Sequence, residues 1–424
     1  MQLPDLYDIF LQHPFIQTDT RKLKKGDIFF ALKGPSFNGN LFAKQALEAG
    51  AAYAVVDEQL GFSDKRIITV EDVLETLQQL AKYHRQQFDI PFIAITGSNG
   101  KTTTKELVHE VLSSTYTTYT TKGNLNNHIG IPLTILSVGM DAEMAVIEMG
   151  ANHQKEIESY CMYTLPTQGI ITNCGKAHLE GFGGIEGVRK GKGELYDYLR
   201  ANNGTVFLTN DYDYLIEMSQ GINNIKTYGT ADADIVGVAN STAAMLEVNM
   251  QKGTDIKNIK THLVGGYNLP NVLVAITVGK YFNVPDEKIK AALENYSPSN
   301  SRSQLIEKDG NKIILDAYNA NPSSMKLAVE NIAKLGGDKV LLLGGMMEMG
   351  NESLKEHQAL IDLINKYQWK DVALVGGDFN KVNNPYTTFA NSTEAGKWLK
   401  QQRFVNATIL VKGSRSMQME KVLE

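Results

Sequence analysis

Phe92-Ile-Ala-Ile-Thr-Gly-Ser-Asn-Gly-Lys-Thr-Thr-Thr104 joins an apolar run to a glycine-broken turn and then to a helix-forming stretch. Phe92 to Ile95 have the β-rich apolar character of a buried parallel strand. Gly97 and Gly100 allow a tight turn whose N–H groups converge on an anion, with Ser98, Asn99 and Thr103 completing the loop. Lys101 adds a point positive charge for the β- and γ-phosphates, and the Thr102 hydroxyl suits Mg²⁺. Leu107, Val108, Val111 and Leu112 share one face of the following helix, whose N-terminal dipole also favours phosphate. Ile95 stands where G-x-x-x-x-G-K-[ST] has its first glycine, so the loop departs from the common spacing. The bland alternative is an ordinary glycine-containing βα turn.

Working outward, 424 residues exceed one ordinary core and predict two or three domains. Residues 1–83 read as a small α/β unit, with strands at Asp27–Leu32 and Ala52–Val56 and helices near Phe42–Ala49 and Val73–Phe88. Residues 84–297 alternate strands (Phe92–Thr96, Ala145–Glu148, Gly169–Asn173, Thr205–Leu208) with helical stretches, the βαβ pattern of a doubly wound, mostly parallel sheet. The β-rich stretch Asp232–His262 suggests a β insertion. Ser297-Pro-Ser-Asn-Ser301 has linker chemistry, and residues 298–424 form a third, Rossmann-like α/β unit with strands at Lys312–Ala317, Val340–Leu343, Val372–Val375 and Ala407–Val411. The expected fold class is therefore α/β in three domains.

A formal charge of −5 argues against a protein built around nucleic acid. The cluster Arg21-Lys22-Leu-Lys24-Lys25 could hold a phosphorylated small molecule or be a solvated turn. The only cysteines, Cys161 and Cys174, have neither metal-ligand nor redox spacing and suit a reducing compartment. No secretory signal is visible at the N-terminus and no apolar run reaches a membrane span, so a cytosolic protein is expected.

Several strand ends carry chemistry-bearing residues. Glu148 closes an apolar strand, where a carboxylate is a natural Mg²⁺ ligand or else a surface glutamate. Asn173 and His178 follow the next strand in a glycine-rich loop, the ligand-binding end of such a sheet. Lys190, Lys192 and Glu194 lie further on, and from charge alone they read equally well as a solvated helix face. In the third segment, Asp316, Tyr318, Asn319 and Asn321 crowd a strand end before Pro322, with helix capping the competing account of Asn321. Arg302 lies just past the linker, where a cross-domain phosphate contact competes with a plain surface arginine. Lys412-Gly-Ser414-Arg415-Ser-Met417 follows the last strand and could bind an anion. Met346, Met347 and Met349 read as core filler.

In order along nearly the whole chain, these motifs resemble the Mur ligase family of bacterial peptidoglycan synthesis. Thr96–Thr102 matches that family's T-G-[ST]-N-G-K-T loop, which accounts for the missing first glycine. Thr121-Lys-Gly-Asn-Leu-Asn126-Asn127-His-Ile-Gly-Ile-Pro-Leu-Thr-Ile135 resembles its G-N-x-N-N-x-I-G-x-P-L-T segment. Asp19-Thr20-Arg21, Gly26-Asp27 and Lys33-Gly-Pro-Ser-Phe37-Asn38-Gly39 look like its uridine-nucleotide-binding N-terminal domain. Asp316–Pro322 and Lys412–Met417 resemble the branch that adds D-Ala-D-Ala. The D-N-P-R motif of the sibling that adds the third residue is not found, and Asn383-Asn-Pro-Tyr386 is not it. Leu343-Gly344-Gly345-Met346 departs from the branch's usual L-G-D-M, which leaves any role at position 345 open, while Glu348 and Gly350 still fit.

The resemblance implies an ATP-dependent amide ligase that joins D-Ala-D-Ala to UDP-MurNAc-tripeptide through an acyl phosphate. It implies catalytic roles for Lys101, His178 and Lys192, and ATP contacts from Gly97 to Thr103 and from Asn268, Asn271, Arg302 and Asp316. Tyr267 replaces the histidine of the family's H-N-x-x-N pattern. Substrate contacts are implied for Thr20, Arg21, Lys33, Phe37, Asn38, Asn126 and Asn127, and in the third segment for Tyr318, Asn319, Asn321, Lys412, Ser414 and Arg415. Two Mg²⁺ sites are implied, drawn from Thr102, Thr121, Glu148, His178 and a carbamylated Lys192. Carbamylation needs a neutral amine; Lys190 competes for that role, and the K-G-E-L-Y context favours Lys192. A monomer that binds no nucleic acid, does not insert into membranes and closes its third domain for turnover is expected. The alternatives are a sibling ligase adding one amino acid to UDP-MurNAc-dipeptide, a folate ligase (disfavoured by the uridine-type N-terminal segment), a non-ligating ATP-hydrolysing switch, and a silent scaffold.

Overall fold

The computed structural model describes residues 2–240, 245–298 and 302–424, so only Ser297 and Pro298 of the expected linker lie within it. Among the described residues the strands form sheets of four, nine and six strands and a two-stranded hairpin. The fold is α/β.

The nine-stranded sheet is built around Phe92–Thr96, every residue of which is buried. Its parallel neighbours are Gln168–Ile171 and Met144–Glu148, with Ile95 opposite Ile170 on one side and Glu148 on the other. The chain leaves Phe92–Thr96 for Thr118–Thr120 and Met144–Glu148 on one flank, then crosses to Gln168–Ile171 and Thr205–Thr209 on the other. Phe92–Thr96 therefore stands at the switch point, where a crevice opens at the carboxyl ends of the strands. The helix Lys101–Ser113 lays Leu107, Val108, Val111 and Leu112 onto the sheet and packs beside Leu269–Tyr281, a helix buried along most of its length.

The stretch expected as a β insertion is instead a continuation of this sheet. Ile235–Ala239 adds parallel to Asn224–Gly229, and Met245–Lys252 and Asn258–Val264 follow antiparallel. Asn258–Val264 alternates exposed and buried residues through Leu263, the pattern of a strand covered on one face.

The first unit has a parallel sheet ordered Ile16–Gln17, Ile28–Phe30, Tyr53–Val56, Ile67–Thr69, backed by Ala43–Glu48. The hairpin Lys33–Gly34/Phe37–Asn38 projects beyond it. Helix Val73–Arg85 joins this unit to the central one, and its Arg85 guanidinium donates to the carbonyls of Thr164, Leu165 and Phe88 and lies 3.9 Å from the Phe92 ring centroid. The third sheet runs Gln304–Lys308, Asn311–Asp316, Thr408–Lys412, Lys339–Gly344, Asp371–Val375, Thr387–Phe389, parallel except for the first strand. Its register sets Asp316 directly beside Lys412 at the carboxyl end.

Candidate active site

The phosphate loop is held in shape by its own neighbours. Gly97 has φ +143°, and a Cβ there would lie 2.0 Å from Thr172 Oγ1; Gly100 has φ +81° and would meet Asn271 Oδ1 at 2.7 Å. Only glycine fits both positions. Asn99 is clamped by the strand end opposite: its N–H donates to Asn173 Oδ1 (3.1 Å), and its carbonyl accepts from Thr172 Oγ1 (2.6 Å) and Asn173 Nδ2 (3.0 Å). The Ser98 hydroxyl donates to the Gly175 carbonyl at 2.9 Å. Lys101 curls back so that Nζ donates to the Gly97 carbonyl at 2.7 Å, and burial pushes its ammonium pKa down.

Glu148 is buried directly beneath the loop. One carboxylate oxygen accepts from the Thr102 hydroxyl (2.9 Å) and the other from Asn126 Nδ2 (2.7 Å). This donor set suits Mg²⁺, which takes one or two protein ligands and fills the remainder with waters and substrate phosphates. Among the described residues no three His, Cys, Asp or Glu side chains gather into an all-protein metal cage. Thr121 does not reach the cavity; its hydroxyl accepts the Glu148 backbone N–H at 3.0 Å and so braces that strand end. Asn127 caps the helix Gly130–Leu136 through the N–H groups of Ile129 and Gly130, and it also lines the cavity.

Lys192 lies behind the cavity wall, its Nζ donating to the Ala151 carbonyl at 3.0 Å. Burial, with the Lys101 charge adding to it, pushes the Lys192 ammonium down to about 7. Lys190, the competing lysine, is exposed. A fully buried amine that is half neutral near pH 7 fits the requirement for reaction with CO₂.

From the third unit come Arg302, just before its first strand and stacked 3.5 Å from the Tyr318 ring centroid, and the Lys412–Asp316 ion pair at 2.5 Å. Asn321 caps the helix Pro322–Ala333, as the capping reading expected, and it also reaches across to donate to Asn99 Oδ1 at 2.7 Å. Asn319 and Tyr318 face the same space. The result is a cavity of about 480 Å³ between the phosphate loop and the carboxyl ends of the third sheet. Asn268 and Asn271 border it, joined by a 2.9 Å amide–amide bond and anchored to the Val264 carbonyl and the Thr104 hydroxyl. The Tyr267 hydroxyl shares a hydrogen bond with Ser303 Oγ at 3.0 Å, linking the two sides.

Not every expected residue lies in this cavity. Ser414 is buried behind it against Met347 and Ala320, and Arg415 points away to pair with Glu420. Thr20, Arg21, Lys33, Phe37 and Asn38 belong to the first unit, outside the cavity wall. There Lys33 pairs with Asp57 at 3.1 Å, Asn38 donates to Glu58 at 3.0 Å, Arg21 grips Asp19, and Phe37 is exposed. Position 345, where glycine stands in place of the resembled branch's usual acidic residue, has no room for a side chain: a Cβ there would lie 2.6 Å from the Gly377 backbone. The sequence did not flag Lys176, Ser323 or Glu356, which meet across the cleft.

Comparison with known proteins places this architecture. The chain matches the models of the Mur ligase family catalytic domain (13–85), the Mur ligase middle domain (95–279) and the Mur ligase glutamate ligase domain (301–415). It is 33% identical to the UDP-N-acetylmuramoyl-tripeptide–D-alanyl-D-alanine ligase of Bacillus subtilis and 35% identical to that of Escherichia coli; each match covers 96% of this chain and 92% of the relative. The crystal structure of the MurF ligase of Thermotoga maritima in complex with ADP superimposes with a TM-score of 0.88 at 25% identity, covering 97% of both chains. Phosphate loop, buried carboxylate and cross-cleft wall thus occur together in a chain that belongs to the Mur ligase family.

Proposed function

We propose that this protein is the ATP-dependent ligase that joins D-Ala-D-Ala to UDP-MurNAc-tripeptide in peptidoglycan precursor synthesis. The observation that carries the reading is the cavity itself, which brings a phosphate loop and the third sheet's strand ends within reach of one small ligand. An acyl transfer driven by ATP needs that arrangement, because the phosphoryl donor, the carboxylate and the amine must be held together away from water. The reading divides the chain into a UDP-sugar-binding unit (1–83), a central ATP-binding unit (84–297) and a C-terminal unit (298–424).

In this reading the substrate carboxylate takes the γ-phosphoryl group of ATP, releasing ADP. The amine of D-Ala-D-Ala then attacks the acyl carbon, phosphate leaves and a proton is lost as the amide forms. A carboxylate is a poor electrophile, so the phosphoryl group supplies the leaving group. Lys101 and the loop N–H groups draw charge from the β/γ-phosphates, where preorganised donors act most strongly. Thr102 and Glu148 would hold one Mg²⁺, with Asn126 fixing the carboxylate; His178 and a carbamate on Lys192 would hold a second. The ions would neutralise phosphate charge between two anionic reactants. Asn268 and Asn271 border the adenine side, and Arg302 and the Lys412–Asp316 pair face the nucleotide and acceptor from the third sheet. Among the described residues no helix is long and apolar enough to cross a membrane. Nucleotide-linked substrates and ATP put the reaction in the cytoplasm.

The test is phosphate release from ATP and Mg²⁺ with UDP-MurNAc-tripeptide, with and without D-Ala-D-Ala, together with the product mass. Release that requires the dipeptide, with a product heavier by one D-Ala-D-Ala unit, is the expected result. Release without any amine would point to a switch, and activity only with a single amino acid and UDP-MurNAc-dipeptide would point to the sibling ligase.

A further inference from the structure

The loop between the strand Gln168–Ile171 and His178 is gripped at successive points by helices and a loop of the third unit. The Lys176 backbone N–H donates to Ser323 Oγ at 3.0 Å, and the Lys176 ammonium donates to Glu356 Oε1 at 2.6 Å. His178 pairs with Glu348. The approach is close enough that a Cβ on Gly175 would lie 2.9 Å from Ser323 Oγ. The two members of the Lys176–Glu356 pair differ in setting. The Glu356 side chain, on the helix Ser353–Ile364, is only 8% exposed, whereas that of Lys176 is 51% exposed. Among the described residues the Glu356 carboxylate takes its one hydrogen bond from Lys176.

A covered carboxylate whose counter-charge comes from another unit ties its own comfort to the position of that unit. Drawing the two apart leaves Glu356 without its partner, so the closed arrangement is favoured by the pair in a way that neither side chain achieves alone. The contact also bears on chemistry. Lys176 sits three residues after Asn173, which clamps Asn99 of the phosphate loop, and Asn99 is itself bonded to Asn321 of the third unit. We infer that Lys176 and Glu356 form an electrostatic latch that holds the third unit closed over the phosphate loop and sets the fraction of molecules with an assembled cavity. They are positioning residues, and neither touches the reacting atoms.

The effect on turnover rests on the ligase reading; the effect on closure does not. Dyes on cysteines introduced at Asn202 and Lys366, both exposed, report the separation of the central and third units by single-molecule energy transfer, the native Cys161 and Cys174 being buried. Lys176→Glu and Glu356→Lys are each expected to reduce the closed population at least threefold. The double reversal is expected to restore it to within twofold of the parent. In the ligase assay kcat should follow the closed population while KM for the UDP-linked substrate stays within twofold. Glu356→Gln replaces Glu356→Lys if the latter lacks a cooperative melting transition, and it should open the molecule as Lys176→Glu does. An unchanged closed population in Lys176→Glu, or a folded double reversal no more closed than either single, overturns the latch. A parent with normal closure but no ligase activity would overturn the functional reading and leave the latch standing.

Discussion

The Lys192 amine is enclosed by protein and faces the Lys101 charge, and both effects disfavour its protonated form. CO₂ adds to neutral amines, so at constant dissolved CO₂ carbamate should build up as pH rises through about 7. Carbon-13 NMR on protein equilibrated with labelled bicarbonate should show a carbamate resonance that grows from pH 6 to pH 8 and is missing in Lys192→Ala. That variant should also lose ligase activity by about 100-fold or more, as expected when a charge-stabilising group is removed. The same shift affects stability: the folded pKa lies below the unfolded value of about 10.4, so the unfolded chain binds the extra proton. Stability from this group is therefore lost below about 7 and recovered as pH rises toward 10. Gly345 is constrained by sterics instead. Gly345→Asp should not supply the family's usual carboxylate but should destabilise the fold by about 1–3 kcal/mol, measured by denaturant titration, because the Gly377 backbone already fills the space.

Two elements are pinned by buried histidines. His84, in the helix Val73–Arg85, bonds to the Tyr7 hydroxyl at 3.0 Å and the Val138 carbonyl at 2.9 Å. His357, in Ser353–Ile364, accepts the Met346 N–H at 3.1 Å through Nε2, which leaves Nδ1 as the donor to the Ser353 carbonyl at 2.8 Å. Burial lowers both pKa values. Their contribution is present above the unfolded value of about 6.5 and is lost as pH falls below it toward the folded values. Urea midpoints should therefore fall between pH 6.5 and 5, and His357→Gln should flatten part of that slope. The elements also show what a sequence can reveal. Phe92–Thr96 and Lys339–Gly344 are legible because burial on both faces writes a continuous apolar run. Ile16–Gln17, Thr118–Thr120 and Thr387–Phe389 are not, since a short edge strand is defined by its neighbour's hydrogen bonds rather than by its own composition. The strands of Asp232–His262 were visible but their sheet was not, because alternation says which face is buried and nothing about the partner. Charge pattern left Lys190 and Lys192 equal until burial separated them. Lys176 and Glu356 could not be paired in advance across 180 residues of sequence.

Across the whole molecule, three sheets are joined by few but specific contacts. Arg85, the last residue of the helix that leads out of the first unit, anchors that helix to the central unit through the Thr164 and Leu165 carbonyls and the Phe92 ring while also bonding to the Phe88 carbonyl, and its burial lowers the guanidinium pKa to about 10. Arg85→Ala should cost about 3 kcal/mol by leaving buried carbonyls without donors, and calorimetry should show the first unit melting earlier than the remainder. The cavity between the central and third units depends on longer reach still, since its walls run from Ser98 to Lys412. This separation has a consequence during biosynthesis. The ribosome makes Lys412 roughly 300 residues after the phosphate loop, an interval of roughly 15 to 60 s at typical elongation rates. Through that time the central unit can fold around its own core while half of the proposed ATP site does not yet exist. A nascent or prematurely ended chain would thus hold a shaped phosphate cradle and still be unable to spend ATP.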